Sequence, residues 1–273
     1  VNTPIYGGAG GAFAVFSRHS SSNEIAIHEI GHSFAGLSDE YWAGFQYANE
    51  NVNMTQNTNP ATTTWSPWLY DNEIGIYAHQ SPGNDWYKPH QNCKMQYLGV
   101  PFCSVCKEHT IRSVYSILDP IDSYSPLAST IMVDGPQIIS FGINPIDITP
   151  NTLSVQWLLN GTIINDSDFI IDINTETLEN GDYEVKVLLN DITELVRNDP
   201  NQLLSSEISW TMSIRCNDAG DLNNDCSLNI FDIILIINIA LGVDEYNNSA
   251  DLNNDNTVDI LDILLLVNLV IGN

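Results

Sequence analysis

The sequence predicts a multidomain chain in which a mixed α/β portion, an all-β sandwich and a small α module follow one another. Three observations carry this. Residues Asn23 to Leu37 read as a helix that places two histidines four residues apart. Residues from about 127 to 215 alternate apolar and polar side chains in short runs separated by turn residues. Asp221-Leu222-Asn223-Asn224-Asp225 recurs thirty residues later as Asp251-Leu252-Asn253-Asn254-Asp255. The 273 residues suffice for two ordinary domains or three small ones. The expected boundaries are 1–126, 127–216 and 217–273.

Charge narrows the partners. Eight Lys plus Arg stand against 34 Asp plus Glu, a formal net charge of -26. Such a chain repels nucleic acid and anionic membrane. No apolar run is long enough to span a bilayer, and the longest are broken by Asn238 and Asn268. From Cys216 to Asn273 there are ten carboxylates and no Lys or Arg, a segment that repels itself without cations. The chain starts at Val1 inside Gly-rich sequence with no signal peptide, and is expected to be the C-terminal part of a longer protein.

In the predicted helix, Ser22 or Asn23 is the expected N-cap. His28 and His32 share one helical face and can aim two imidazoles at one ion, with Glu29 beside them. This is the HExxH pattern, in which zinc acidifies a water and the Glu takes its proton. A catalytic zinc needs a third protein ligand. Gly36 can turn the chain so that Asp39 returns as an oxygen ligand; Glu40 is the competing candidate, and a ligand further along is the remaining option.

In the middle segment, Leu153, Val155, Trp157 and Leu159 alternate before Asn160-Gly161, a hairpin turn pair. Tyr183, Val185, Val187 and Leu189 alternate after a second expected turn at Asn180-Gly181, and Ile208, Trp210, Met212 and Ile214 alternate again. Short strands of this kind suggest an immunoglobulin-like β-sandwich, with no catalytic cluster and a spacer role.

In the tail, EF-hand ligand positions 1, 3, 5, 7 and 12 fall on Asp221, Asn223, Asp225, the Ser227 carbonyl and Asp232. The second loop offers Asp251, Asn253, Asp255, the Thr257 carbonyl and Asp262. Two calcium ions are therefore expected. Asn229 and Asp259 hold position 9, and Cys226 and Asn256 stand at position 6, where Gly is usual. Each loop runs into an apolar helix expected to stop at Gly242 or Gly272. The twelfth residue is Asp rather than Glu, and no entering helix precedes the loop. Both features resemble type I dockerins. That resemblance implies a cohesin-type partner met through Ile230-Phe231 and Ile260-Leu261.

His28-Glu29-Ile30-Gly31-His32-Ser33-Phe34-Ala35-Gly36-Leu37-Ser38-Asp39-Glu40-Tyr41 resembles the signature of the clostridial-type immunoglobulin A peptidases, a metzincin-like family. Tyr6-Gly7-Gly8-Ala9-Gly10-Gly11 and the following residues to Ser17 are similar to its Gly-rich edge strand. Asn92-Cys93-Lys94-Met95 and Phe102-Cys103-Ser104-Val105-Cys106 resemble its Met-turn region. The resemblance covers roughly residues 3 to 120. It implies an α/β zincin fold, one catalytic zinc, and peptide-bond hydrolysis on extracellular protein substrates docked near Gly10 to Val15. Met95 would be an apolar floor beneath the metal. Tyr97 would be a catalytic hydroxyl stabilising the oxyanion. The ordinary metzincin spacing puts Gly and a third His where this chain has Ala35 and Ser38.

Five cysteines, Cys93, Cys103, Cys106, Cys216 and Cys226, cannot all pair within one chain. One disulfide among the first three is expected; the alternative is a structural zinc held by Cys93, Cys103, Cys106 and His109. Taken together, the readings imply a secreted zinc endopeptidase, extracellular and with surface attachment as an option. The rival is a non-catalytic dockerin-bearing scaffold or adhesion component with a vestigial peptidase domain.

Overall fold

The computed structural model describes residues 4–9, 11–79, 85–215, 219–225 and 227–272. Gly10, Cys216 and Cys226 lie outside them. The chain divides into two compact units, one of residues 1–120, 150–153 and 191–205, the other of 121–149, 154–190 and 206–273. Sheets dominate, and helices are few. No helix among the described residues is long and apolar enough to cross a membrane.

In the first unit, β1 (Gly8–Ala9) and β2 (Val15–Phe16) form an antiparallel pair. Helix α1 (Ser22–Ser33) follows, then β3 (Tyr77–Ala78) paired with β4 (Tyr87–Lys88), then α2 (Ser104–Tyr115). Between these, long polar loops replace backbone ladders with side-chain bonds. Asn53 is an example: its Oδ1 accepts from the Ser38 amide at 2.9 Å and its Nδ2 donates to the Ser38 carbonyl at 2.8 Å. A buried polar side chain satisfied in this way carries no desolvation penalty left unmatched. Beneath the loops, Trp65, Trp68, Ile74 and Met95 pack with Ala35, Leu37 and Val105.

Helix α1 is shorter than the expected Asn23 to Leu37, and its N-cap is Ser21 rather than Ser22 or Asn23. Gly36 explains the early end. At φ +60° it is left-handed, which breaks the helical path and sends the Leu37 amide back to the Gly31 carbonyl at 3.0 Å. At the other end, Glu24 in the first turn meets the positive pole of the helix and binds the Lys94 ammonium and the Gly99 amide.

The second unit holds two sheets. β5 (Ile121–Ser125), β7 (Ile138–Pro145) and β10 (Ile170–Asn174) form one, in the order β10-β7-β5. The other is ordered β6-β12-β11-β8-β9, from β6 (Thr130–Asp134), β8 (Leu153–Leu159), β9 (Thr162–Asn165), β11 (Gly181–Asp191) and β12 (Ser205–Arg215). Their inner faces meet through Phe141 and Trp210, with ring centroids 5.2 Å apart, and Trp157 stacks on Trp210 at 5.9 Å. The alternation read in the sequence is the alternation of burial: Val155, Trp157, Val185, Val187, Leu189, Trp210, Met212 and Ile214 all face inward. Asn160 and Gly161 both have positive φ and close the β8–β9 hairpin as expected. Asn180-Gly181 does not reverse the chain. Neither residue has positive φ, and β11 simply begins at Gly181 after a 3₁₀ turn at Thr175–Thr177. β6 pairs with β12 in parallel, which local alternation does not encode.

The tail carries α3 (Ile230–Ala240) and α4 (Ile260–Gly272). Ile236 and Leu266 are fully buried, with Leu222 and Ala250 beside them. Gly242, at φ +70°, ends α3: its amide bonds Ile239 and the Val243 amide bonds Asn238, both at 2.9 Å. Gly272 is the last residue of α4 rather than a stop beyond it.

Candidate functional site

Helix α1 and the turn after it assemble three ligand atoms. His28 Nδ1 lies 3.0 Å from the Lys94 carbonyl, and His32 Nδ1 lies 2.6 Å from the Leu37 carbonyl. A carbonyl can only accept, so each Nδ1 carries the hydrogen and each Nε2 presents a lone pair. The two Nε2 atoms are 3.1 Å apart, and Asp39 Oδ1 lies 3.1 and 3.2 Å from them. With both imidazoles neutral, no donor reaches Asp39 Oδ1 in hydrogen-bonding geometry, and the atom is buried. Three lone-pair atoms facing one point repel unless a cation or proton lies between them. The donor set therefore fits a divalent metal with nitrogen and oxygen preference, and zinc is such a metal. The left-handed Gly36 does two jobs here. It swings Asp39 back toward the helix, and it aims the Leu37 carbonyl at His32.

The electrostatics agree. Burial raises the Asp39 carboxyl, but contact with His28 and His32, when these carry protons, outweighs it and holds the group at about 2. Burial lowers both imidazoles, yet Asp39 and the two backbone carbonyls shift the balance upward. A field that favours protons on these rings also favours a metal cation. Glu29 is pushed up by burial, against the pull of the two histidines, which makes its carboxylate a stronger base than a solvated one.

Glu29 borders a cleft of about 420 Å³ lined also by Tyr6, Gly8, Ile25, His28, Tyr41 and Gln96. Met95 is fully buried beneath α1, where a Cβ on Gly31 would stand 2.7 Å from its sulfur. Glu40 does not join the histidines. Its side chain points the other way and lies 3.2 Å from Cys106 Sγ. Tyr97 is 44% exposed and is not among the residues lining this cleft. Tyr41 is the hydroxyl that lines it: its ring stacks on His28 at 6.4 Å, and burial and the Asp39 carboxylate push its pKa up to about 12. The signal for Tyr41 was present in the sequence. Tyr41 lies two residues after Asp39, within the same turn of chain that carries Asp39 to the histidines.

Cys93, Cys103 and Cys106 are buried free thiols, so the expected disulfide is not formed. Among the described residues the fourth group at this cluster is Glu40 rather than His109. Cys103 and Cys106 sit on the first turn of α2, and the loop carrying Glu40 reaches them where His109, a turn further on, does not.

In the tail, Asp221, Asp225 and Asp232 bring carboxylate oxygens within 4.8 Å of one another. Asp232 Oδ1 accepts from the Leu222 and Asn223 amides at 2.9 and 3.3 Å, and its Oδ2 from Asn229 at 3.0 Å. Asp262 repeats this with Leu252, Asn253 and Asp259 at 2.9, 3.2 and 2.9 Å. The position-12 carboxylates thus close each loop onto its helix. Asn223, Ser227, Asp251, Asn253, Asp255 and Thr257 occupy the same loops. Asp225 bonds Asn223 and Ser227, and Asp255 bonds Asp251, Asn253 and Thr257. Asn256 adopts φ +68°, the left-handed turn that position 6 requires.

Residues 1–81 match the family model of the IgA Peptidase M64. Residues 219–271 match that of the dockerin type I domain. These are the two families that the sequence resembles. The M64 match contains His28, Glu29, His32, Asp39 and Tyr41, and ends before Met95 and the cysteines. No curated protein matches the chain. Among solved structures, a quinoprotein alcohol dehydrogenase-like protein of Bacteroides thetaiotaomicron is similar at 9% identity and TM-score 0.28, over 37% of this chain and 20% of that one. Fibronectin(III)-like modules of Clostridium thermocellum CbhA are similar at 14% identity and TM-score 0.24, over 34% of this chain and 93% of theirs. An endo-beta-1,4-mannanase of Thermotoga petrophila is similar at 12% identity and TM-score 0.25, over 52% and 30%. Scores this low establish no shared fold. The chain spans only a fifth of the length of the first of these structures.

Proposed function

We propose that this chain is part of a secreted zinc-dependent endopeptidase with a metzincin-like zincin catalytic portion (1–126), an immunoglobulin-like sandwich (127–216) and a calcium-binding dockerin (217–273). The observation that carries the reading is the convergence of His28 Nε2, His32 Nε2 and Asp39 Oδ1 within 3.2 Å, with both Nδ1 hydrogens held by backbone carbonyls. The M64 match over the same residues supports it. Bound by these three groups, zinc would supply Lewis acidity to a water and to the scissile carbonyl.

The chain's own residues do the rest. Glu29 takes a proton from the attacking water and returns it to the leaving amine. Its burial keeps the carboxylate basic for the first transfer and stabilises the protonated form for the second. Tyr41, whose pKa is pushed up to about 12, keeps its proton and donates it in a hydrogen bond to the oxyanion as it forms. Tyr97 remains the second candidate for that donor. The exposed strand β1 offers backbone groups along which an extended protein substrate can pair. The dockerin binds two calcium ions and attaches the enzyme to a cohesin-type domain, giving an extracellular protein held in an assembly. Ile230, Phe231, Ile260 and Leu261 are exposed and suit that docking face.

Elemental analysis of the full-length enzyme and its Asp39→Ala variant tests the proposal. The variant should lose the zinc that His28 and His32 hold, together with chelator-sensitive proteolysis. Unchanged zinc at this centre would remove Asp39 as a ligand. Absence of proteolysis in the zinc-loaded wild type would favour the non-catalytic scaffold.

A further inference from the structure

We infer that Glu40, Cys93, Cys103 and Cys106 form a second, closed zinc site that is structural. The four side chains come from three segments: the loop after α1, the loop bearing Met95, and the first turn of α2. All are buried, and their ligand atoms lie within 4.8 Å of one another. The spacings are those of ligands around one ion. With zinc–sulfur bonds of about 2.3 Å, two sulfurs of a tetrahedral site stand about 3.8 Å apart, and a sulfur and a carboxylate oxygen about 3.5 Å. Cys93 and Cys106 Sγ are 3.7 Å apart, and Cys106 Sγ lies 3.2 Å from Glu40 Oε1.

The rest of the pocket is built for anionic sulfur. The Cys103 amide donates to Cys93 Sγ at 3.3 Å, and the N-terminal end of α2 adds its positive pole. Asn53 fixes Glu40 Oε1 from behind at 3.2 Å. Glu40 Oε2, in contrast, is buried with no hydrogen-bond partner. A buried carboxylate oxygen in that state is strongly disfavoured until a cation or a proton meets it.

A disulfide does not resolve this. Three thiols leave one unpaired under any single bond, and the Glu40 carboxylate would then face an uncharged sulfur pair. One zinc satisfies all four groups at once. Its position also ties it to the proposed catalytic centre. Asp39 and Glu40 are consecutive and point to opposite sides, and the Glu40 amide donates to the Met95 carbonyl at 2.8 Å. The structural ion would therefore hold Asp39 and the Met95 floor in place from behind.

The inference stands apart from the peptidase reading, and one set of variants separates them. Zinc should be counted in the full-length protein and in its His28→Ala/His32→Ala double variant, which leaves the cysteine cluster intact. Two zinc ions in the wild type and one in the variant are expected. X-ray absorption on that variant should give three sulfurs at about 2.3 Å and one oxygen at about 2.0 Å. Thiol titration should find the three cysteines protected until a chelator is added. One zinc in the wild type and none in the double variant would overturn the structural site and leave the peptidase reading standing. One zinc in both would do the reverse. A Cys93–Cys106 disulfide found by peptide mass mapping of the native protein would also overturn it.

Discussion

Gly8 offers a test of how tightly Glu29 is held. It lies on β1 with the Glu29 side chain against it. A Cβ at this position would stand 2.5 Å from Glu29 Oε1, 2.6 Å from Ile25 Cγ2 and 2.9 Å from Glu29 Cγ. Ordinary contact begins at 3.4 Å, so Gly8→Ala requires the carboxylate to retreat by about 0.9 Å. The backbone at Gly8 is not left-handed, so alanine brings no strain of its own. Strand β1 is two residues long and exposed, and Glu29 Oε1 is the far end of a flexible side chain. The stability cost should therefore sit near the lower end of the overpacking range, about 1 kcal/mol. Catalysis is less forgiving, because a misplacement of about 1 Å in a reacting group can cost on the order of 10²-fold. Peptide hydrolysis by the full-length enzyme should fall about 10- to 100-fold in kcat/KM, with zinc content unchanged. Gly11→Ala is the control, since nothing lies within 4 Å of the place its added methyl would take. Full activity in a folded, zinc-loaded Gly8→Ala enzyme would refute the placement of Glu29 as the base.

Three further outcomes are expected. Tyr41→Phe should lower kcat by about 10- to 1000-fold if its hydroxyl meets the oxyanion, with a much smaller effect for Tyr97→Phe; the opposite order would restore Tyr97 to the role. Asp262→Ala removes a proposed calcium ligand that also accepts from three amides, so calorimetry should count one calcium instead of two, and equal stoichiometry would contradict the loop assignment. His79 is buried, and desolvation followed by the Lys88 charge holds it down at about 4. Its folded pKa lies below its unfolded value, so the unfolded chain binds more protons between about pH 4 and 6.5. Stability from this residue is complete above that window and is lost as pH falls through it, by up to about 3 kcal/mol. Denaturant unfolding of His79→Phe should show a flatter pH profile there, and an unchanged slope would count against the assignment.

Much of this was legible in local sequence because the relevant periods are short. The four-residue spacing of His28 and His32 is one helical turn, and the two-residue alternation through Trp157 and Trp210 is one strand pleat. Asn160-Gly161 carries its turn in its own conformational freedom, and the duplicated tail loops carry their repeat in their spacing. What was not legible depends on contacts between distant segments. Asn180-Gly181 has the same turn chemistry, yet the strand pairing around it overrides the local preference. The end of α1 was set by a left-handed Gly36 and a bond across six residues. Glu40 meets cysteines 53 to 66 residues away, and nothing in its neighbourhood announces that partner. Parallel pairing of β6 with β12 joins residues some eighty apart and leaves no periodic trace.

The central claim is that His28, His32 and Asp39 present a zinc to which Glu29 acts as general base. Proteolysis by the zinc-loaded, full-length Glu29→Gln enzyme tests it most directly. The side chain keeps its size and loses only its ability to take a proton. The account predicts wild-type zinc content and a loss of about 10²- to 10⁴-fold in kcat. Cleavage at near wild-type rate by that zinc-loaded variant would contradict it.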